Sequence, residues 1–285
     1  MSDIRHLLND AARRLAGLSD SPRLDAELLL CHSLNRTRSY LIAHSDEIPN
    51  ECSRKTFEHG LEKCINGQPI AYIIGTKSFW SLDLSVNPDV LIPRPETELL
   101  VEATLEQLSH ARQSDKPPHI IDLGTGSGAI ALSIASELPD TIIFATDISQ
   151  ASLDIAQTNA RHNGLDNIRF LHAQADAGWY GHVADMRFDV IVSNPPYIAE
   201  NDPHLLALSH EPRHALVSGH DGLNDLRQII SHAREHLHRK GWLILEHGHD
   251  QGNAVRQMMQ DHGLSRVSTQ QDLAGHDRIT LGQAP

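Results

Sequence analysis

The sequence predicts an α/β protein, with a mostly parallel sheet covered on both faces and a small helical region ahead of it. Three observations predict this. Apolar residues in the first 75 positions recur only at helical spacing, the period changes to alternation near residue 77, and from residue 119 short buried strands alternate with helical patterns. At 285 residues the chain is long enough for one sizeable α/β domain and a smaller partner.

In the first region Ile4, Leu7, Leu8, Ala11, Ala12 and Leu15 share one helix face. Ser21 and Pro22 supply an N-cap and a first-turn proline for a helix through Leu34. Phe57, Leu61, Cys64 and Ile65 form another stripe, which Gly67 is placed to end. Leu82, Leu84 and Val86 then alternate as in a half-buried strand, and Val90 to Ile92 read as its return strand, stopped by Pro93 and Pro95. The expected organisation is a helical domain at 1–75, a β-hairpin linker at 76–93 and a larger domain at 94–285.

In the larger domain a helix is expected from Glu96 to about Gln113, then a polar loop from Ser114 to Pro118. Strands are predicted at His119–Leu123, Ile142–Asp147, Ile168–Leu171, Phe188–Ser193, Trp242–Glu246 and Arg278–Leu281. Helices separate them at Ala129–Leu138, Ser149–Asn163, Gly222–Leu237 and Gln251–His262.

Composition narrows the function classes. Apolar content of 40% and charged content of 21% are ordinary for a soluble globular protein. No stretch approaches the roughly 20 apolar residues of a membrane span, so no membrane association is predicted. The opening MSDIRHLLNDAARR carries charges throughout, unlike a signal peptide. Three cysteines (Cys31, Cys52, Cys64) without CxxC spacing suit reduced thiols in a cytoplasm. The formal charge of −13 argues against direct nucleic-acid binding and suits a basic protein partner. The 20 histidines are scattered, with no HExxH and no Cys/His knuckle, so no metal site is predicted.

The segment IIDLGTGSGAIALSIA sets a glycine-rich turn between a buried strand and a helix. Gly124, Gly126 and Gly128, interleaved with Thr125 and Ser127, let the backbone turn sharply and approach a ligand. The helix N-terminus beyond offers unpaired N–H groups. Asp147 ends the next strand, where an acidic side chain can hold both hydroxyls of a ribose. Gly124, Gly126 and Ala129 also satisfy a dinucleotide fingerprint, and a glycine turn can serve backbone geometry alone. Two details favour a methionine-derived ligand. Asp122 stands where a carboxylate can hold its amino group, directly or through water, and the chemistry motif further on is not that of a dehydrogenase.

That motif is Asn194-Pro195-Pro196-Tyr197, directly after the buried strand FDVIVS. In open α/β sheets ligands bind outside the carboxyl ends of strands. The Asn194 side-chain carbonyl can accept a hydrogen bond from a planar NH2 group. Pro195 is biased toward extended backbone by the proline after it, which can aim its carbonyl at the second N–H. Tyr197 offers a ring on which a flat amide or base stacks. A carboxamide nitrogen is a poor nucleophile because its lone pair is delocalised. Two acceptors gripping its hydrogens raise electron density on nitrogen and aim it at an activated sulfonium methyl. Asn-Pro also starts ordinary turns, and the segment can be read as one.

The chain resembles the release factor glutamine methyltransferases (the PrmC or HemK family). The resemblance rests on PRLDAELLL at 22–30, GQPIAYIIGTKSFW at 67–80, VLIPRPETELLV at 90–101, DLGTGSGAIALSIA at 122–135, SNPPYI at 193–198 and LEHGHDQG at 245–252. NPPY alone is shared with DNA adenine methyltransferases. The resemblance implies a Rossmann-like class I methyltransferase domain with a seven-stranded, mostly parallel sheet, preceded by a helical domain that helps recognise the substrate. It implies S-adenosylmethionine as cofactor, held by Gly124 to Gly128 and Asp147. It also implies class 1 translation release factors as partners, the glutamine of their Gly-Gly-Gln loop bound by Asn194, Pro195, Pro196 and Tyr197, with Asn194 facing the cofactor as well.

An aromatic residue after the third strand usually contacts the adenine side, and Trp179 takes that place. This chain departs from the family there, with Gly178 where an acidic residue is usual and Asp176 two positions earlier. Trp179 can equally be a core or interface aromatic. A ribosomal-protein glutamine methyltransferase is the nearest rival, but Pro93-Arg94-Pro95-Glu96-Thr97 stands where those relatives carry a PRSPI-like segment. A nucleic-acid adenine-N6 methyltransferase is the rival from another class, disfavoured by the acidic balance and the missing basic target domain.

Overall fold

A computed structural model describes residues 2–111, 117–173, 178–183 and 185–285. The expected helix end at Gln113, residues 114–116 of the expected loop, and Asp176 lie outside the described residues. The chain divides into two compact units, Met1–Thr76 and Lys77–Pro285.

The first unit is helical: α1 (Ile4–Leu15), α2 (Pro22–Leu34), α3 (Arg38–Ala43), α4 (Glu51–Ile65) and α5 (Ile70–Ile74). Ile4, Leu8, Ala11 and Leu15 of α1 pack with Leu29 and Leu30 of α2 and with Phe57 and Leu61 of α4. Each Leu, Ile or Phe among them taken fully from water contributes roughly 1.5–3 kcal/mol. Asp3, Thr37 and Asn50 cap their helices through side-chain oxygens. Ser21 stands at the N-cap of α2 but makes no capping bond. Its hydroxyl turns instead to Asp25, at 3.4 Å.

The second unit opens on a hairpin of β1 (Thr76–Phe79) and β2 (Leu82–Ser85). The return strand expected at Val90 to Ile92 is not formed. Val90 and Ile92 are buried outside any strand: the Val90 N–H donates to the Asn87 carbonyl (3.2 Å) and the Ile92 N–H to the Glu211 carboxylate (3.1 Å).

The main sheet contains β3 (Ile120–Leu123), β4 (Ile143–Asp147), β5 (Ile168–His172), β6 (Phe188–Ser193), β7 (Leu237–Glu246), β8 (Ser265–Gln271) and β9 (Asp277–Gln283). The order across it is β5-β4-β3-β6-β7-β9-β8. The pairs from β5 to β7 are parallel, while β9 runs antiparallel to both β7 and β8. Strand β8 was absent from the sequence-based expectation because SRVSTQQ holds one large apolar residue, Val267, and lies at the sheet edge.

Period two sorts the strands onto two cores. Ile120, Val190, Val192 and Ile244 join the core covered by α6 (Glu98–Ala111) and α7 (Ala129–Glu137). Ile121, Leu123, Ile191, Leu243 and Leu245 join the other, covered by α9 (Asn224–His236) and α10 (Gly252–Asp261). The remaining helix, α8 (Gln150–His162), supplies Asn159, whose amide bonds Ser85 and the Ser127 carbonyl (2.9 Å) and so braces the glycine loop from behind.

Candidate active site

The strand order reverses at β3 and β6, which run side by side, and such a switch point opens a crevice at the carboxyl ends of the strands. Register decides what meets there. Leu123 lies beside Ser193 on one side and Thr146 on the other, so Gly124, Asn194 and Asp147 leave the sheet at one edge. The Ser193 hydroxyl donates to the Leu123 carbonyl (2.6 Å) and ties the two strand ends together.

The glycine loop doubles back on β4: the N–H groups of Gly124 and Thr125 both donate to the Thr146 carbonyl, at 2.9 and 2.8 Å. Gly124 has φ +73°, and a Cβ there would press to 3.1 Å from the Trp179 ring. Gly128, at the N-cap of α7 with φ +88°, would set a Cβ 2.4 Å from a Leu132 methyl. Asp147 accepts from the Gly126 and Ser149 N–H groups, each at 2.8 Å. Burial raises its carboxyl above the usual range, against these two bonds. Asp122 lies fully buried beneath the loop and outside the cleft wall. One of its oxygens accepts from the Thr125 hydroxyl (2.7 Å) and the other has no partner among the described residues. Burial pushes its pKa up to about 7.

A cleft of about 870 Å3, open solvent included, is walled by Gly124 to Ser127, Asp147, Trp179, Asn194 and Pro196, with Asp89 to Leu91, Pro93, Arg94 and Thr97 also in its wall. Trp179 separates no charge of its own but is anchored: its Nε1 donates to Asp225 (3.2 Å), which also accepts from the Ser218 hydroxyl (2.6 Å). Gly128, Pro195 and Tyr197 are not in the wall; Pro195 is buried and Gly128 begins the helix behind the loop.

Asn194 and Tyr197 converge on one buried acid. Asn194 Nδ2 donates to Thr97 Oγ1 (3.2 Å), the Thr97 hydroxyl donates to Glu246 Oε2 (2.7 Å), and the Tyr197 hydroxyl donates to Glu246 Oε1 (3.1 Å). Burial raises the Glu246 pKa to about 7, opposed by those two hydroxyls and by Arg278. Burial likewise pushes the Tyr197 hydroxyl up, which keeps it protonated. Gln251 grips the same turn from its backbone side, its Nε2 donating to the Tyr197 carbonyl (3.0 Å) while Oε1 accepts from Gly248. Arg94, in the cleft wall, pairs with buried Glu211. Thr97, Glu246, Gln251 and Asp225 escaped sequence reasoning as individual residues. The available signal was an acid closing the apolar run Trp242–Leu245, as Asp147 closes β4.

Residues 6–75 match the family model described as the PrmC N-terminal domain, and residues 96–270 match that of the methyltransferase small domain. A release factor glutamine methyltransferase of Aliivibrio fischeri is 46% identical over 268 residues, covering 93% of this chain and 91% of that protein. One from Coxiella burnetii is 44% identical over 283 residues, 99% of each chain. Among solved structures, a methyltransferase from Pyrococcus furiosus superposes with a TM-score of 0.53 at 19% identity, covering 79% of this chain and 98% of its own, a likeness of fold.

Proposed function

The chain belongs to the release factor glutamine methyltransferase family, and we propose that it moves the methyl group of S-adenosylmethionine to the side-chain amide nitrogen of a glutamine. That glutamine is the one in the Gly-Gly-Gln loop of class 1 translation release factors. The observation that carries the reading is the Asn194 amide: its NH2 is committed to Thr97 while its carbonyl oxygen, in the cleft wall beside the glycine loop, has no partner among the described residues.

The cleft suits the cofactor. The glycine loop and the acid that ends β4 meet in its wall, and Gly124 leaves the Trp179 ring uncovered where any Cβ would press on it. Gly124 to Ser127, Asp147 and Trp179 would hold the cofactor, with Gly128 setting the helix start. S-adenosylmethionine, when bound, supplies a methyl already activated on a sulfonium, whose C–S electron pair returns to sulfur as nitrogen takes the carbon. The protein's part is to hold the acceptor. Asn194 Oδ1 and the Pro195 carbonyl each accept one N–H of the substrate amide, which stabilises the positive charge that grows on nitrogen until one proton leaves for solvent. Pro196 and Tyr197 shape the seat of the flat amide.

The helical unit provides contacts to the release factor, and the net charge of −13 favours a basic partner. Work on a translation factor places the chain in the cytoplasm, and no helix among the described residues is long and apolar enough to cross a membrane. The test is incubation with labelled S-adenosylmethionine and a release factor, with the label mapped by mass spectrometry. Label on the glutamine amide is expected; label on another residue or on RNA would overturn the reading.

A further inference from the structure

We propose that Thr97 and Glu246 are positioning residues that dictate which end of the Asn194 amide faces the substrate. This inference rests on the methyl-transfer reading above and adds a control on the same site.

An ionised carboxylate has acceptors and no donor, and a threonine hydroxyl has a single proton. Thr97 gives that proton to Glu246 Oε2 at 2.7 Å, so only its oxygen lone pairs remain for Asn194. The nitrogen end of the amide must then turn to Thr97, where it sits at 3.2 Å. Which way an amide points is read from its network, and here the network admits one orientation. It leaves Oδ1 for the cleft, as an acceptor, which is what an incoming NH2 requires. Glu246 Oε1 meanwhile accepts from Tyr197, so both polar side chains of the turn hang from one carboxylate.

Protonation of Glu246 on Oε2 would undo this. The acid would donate to Thr97 Oγ1, the Thr97 proton would be released toward Asn194, and the amide would turn over to accept it. The NH2 would then face the cleft, donor against donor. The groups facing Glu246 are Thr97 and Glu96 from the turn before α6, Tyr197 after β6, and Arg278 of β9. Arg278 is held by Asp272 at 3.0 Å and favours the ionised acid, while Glu96 opposes it. With burial holding the Glu246 pKa near 7, the switch falls within the working pH range, and transfer rises with pH as the carboxylate forms.

Single-turnover methyl transfer to an intact release factor, at saturating cofactor, tests the relay across pH 5.5 to 9 in four variants. Thr97→Val should transfer at least about tenfold more slowly, with cofactor Kd from calorimetry within about twofold of wild type, because the lost group acts on the acceptor side. Thr97→Ser restores the hydroxyl and should restore the rate. Glu246→Gln can still offer a carbonyl to Thr97 and an NH2 to the Tyr197 oxygen, so it should stay active but lose the inflection near neutrality that wild type shows. Asn194→Ala is the reference for loss of the acceptor itself. Wild-type speed in Thr97→Val, no rescue by Thr97→Ser, or an unchanged inflection in Glu246→Gln would overturn the relay while leaving the activity intact. Absence of transfer by wild type would instead overturn the reading on which the relay rests.

Discussion

The loop after β3 and the turn after β6 leave neighbouring strands at the same edge of the sheet, yet they are held by different means. The loop at Gly124–Gly128 is shaped by backbone: three glycines at positive φ, two N–H groups on one Thr146 carbonyl, and Asp147 receiving Gly126. The turn at Asn194–Tyr197 is held by side chains distant in sequence, with Thr97, Glu246 and Gln251 fixing its amide, its hydroxyl and its carbonyl. The difference teaches what each can tolerate. A backbone-built loop fails by strain when a Cβ is added, whereas a side-chain-built turn fails when a remote partner is lost.

The sharpest way to break the comparison is Asn194→Ala. Loss of one preorganised group that stabilises developing charge commonly slows turnover on the order of a hundredfold or more. Cofactor affinity, which the proposed function assigns to the other loop, should change little. Single-turnover kinetics beside calorimetry checks both, and near-normal transfer would leave the motif as a structural turn.

Each loop also rests on a buried acid, and Asp122 beneath the glycines gives a stability test. Its folded pKa of about 7 lies above the ordinary carboxylate value of 3.8. Between those values the native state holds more proton than the unfolded chain, so stability falls as pH rises through the window and levels off above about 7. Asp122→Asn does not titrate there. Wild type should therefore lose roughly 2–3 kcal/mol relative to the variant between pH 5 and pH 8. Denaturant unfolding of both proteins at the two pH values measures it, and a difference that does not move with pH would place the ionised acid in a better-solvated setting than the structure gives it.

The two loops also differ in how legible they were. Glycines at fixed spacing after IIDL announce positive-φ backbone locally, and Asp147 ends its own strand, so these residues could be named from adjacent sequence. The parallel strands were legible for the same local reason, since Ile120–Leu123 and Phe188–Ser193 read as short apolar runs. Strand β8 was not, because an edge strand such as SRVSTQQ needs no apolar run. Nor was the hairpin register: Leu82 and Leu84 showed the strand, but its partner is Thr76–Phe79 rather than Val90–Ile92, since TKSF carries almost no apolar signal while Val90 and Ile92 are buried for other reasons. Thr97 and Glu246 stand 149 positions apart. Only the packing of α6, with the turn before it, on the end of β7 brings them to one place, and no local pattern encodes that.

A smaller effect is expected from Gly124→Ala. Its φ of +73° disfavours an L side chain, and the new Cβ would lie 3.1 Å from the Trp179 ring. Left-handed backbone disfavours a non-glycine residue by about 1–2 kcal/mol, so cofactor Kd should weaken by about tenfold. Gly126→Ala separates the causes, since its φ of +56° is also positive but, chain neighbours aside, no atom of the described residues lies within 4 Å of the added Cβ. If the two variants bind cofactor equally, the Trp179 contact plays no part.

The smallest effect belongs to Tyr197→Phe. The ring remains to seat a flat amide, and the Gln251 bond to the Tyr197 carbonyl is untouched, so the turn keeps its backbone support. What is lost is one of the two hydroxyl protons on Glu246, the one on Oε1. The Thr97 bond to Oε2 survives, and with it the arm that orients Asn194. Transfer should therefore fall only a few-fold. The vacated carboxylate oxygen is buried, and an unsatisfied buried acceptor destabilises by about 1–3 kcal/mol. The same loss disfavours the ionised acid, because a hydrogen bond that holds the charged form has gone. The inflection of the transfer rate should accordingly move to higher pH than in wild type. A pH profile of single-turnover transfer, beside a denaturant unfolding curve, reads both consequences. An inflection that stays in place would mean that Tyr197 does not share Glu246 with Thr97, and the side-chain-built turn would reduce to its Thr97 arm.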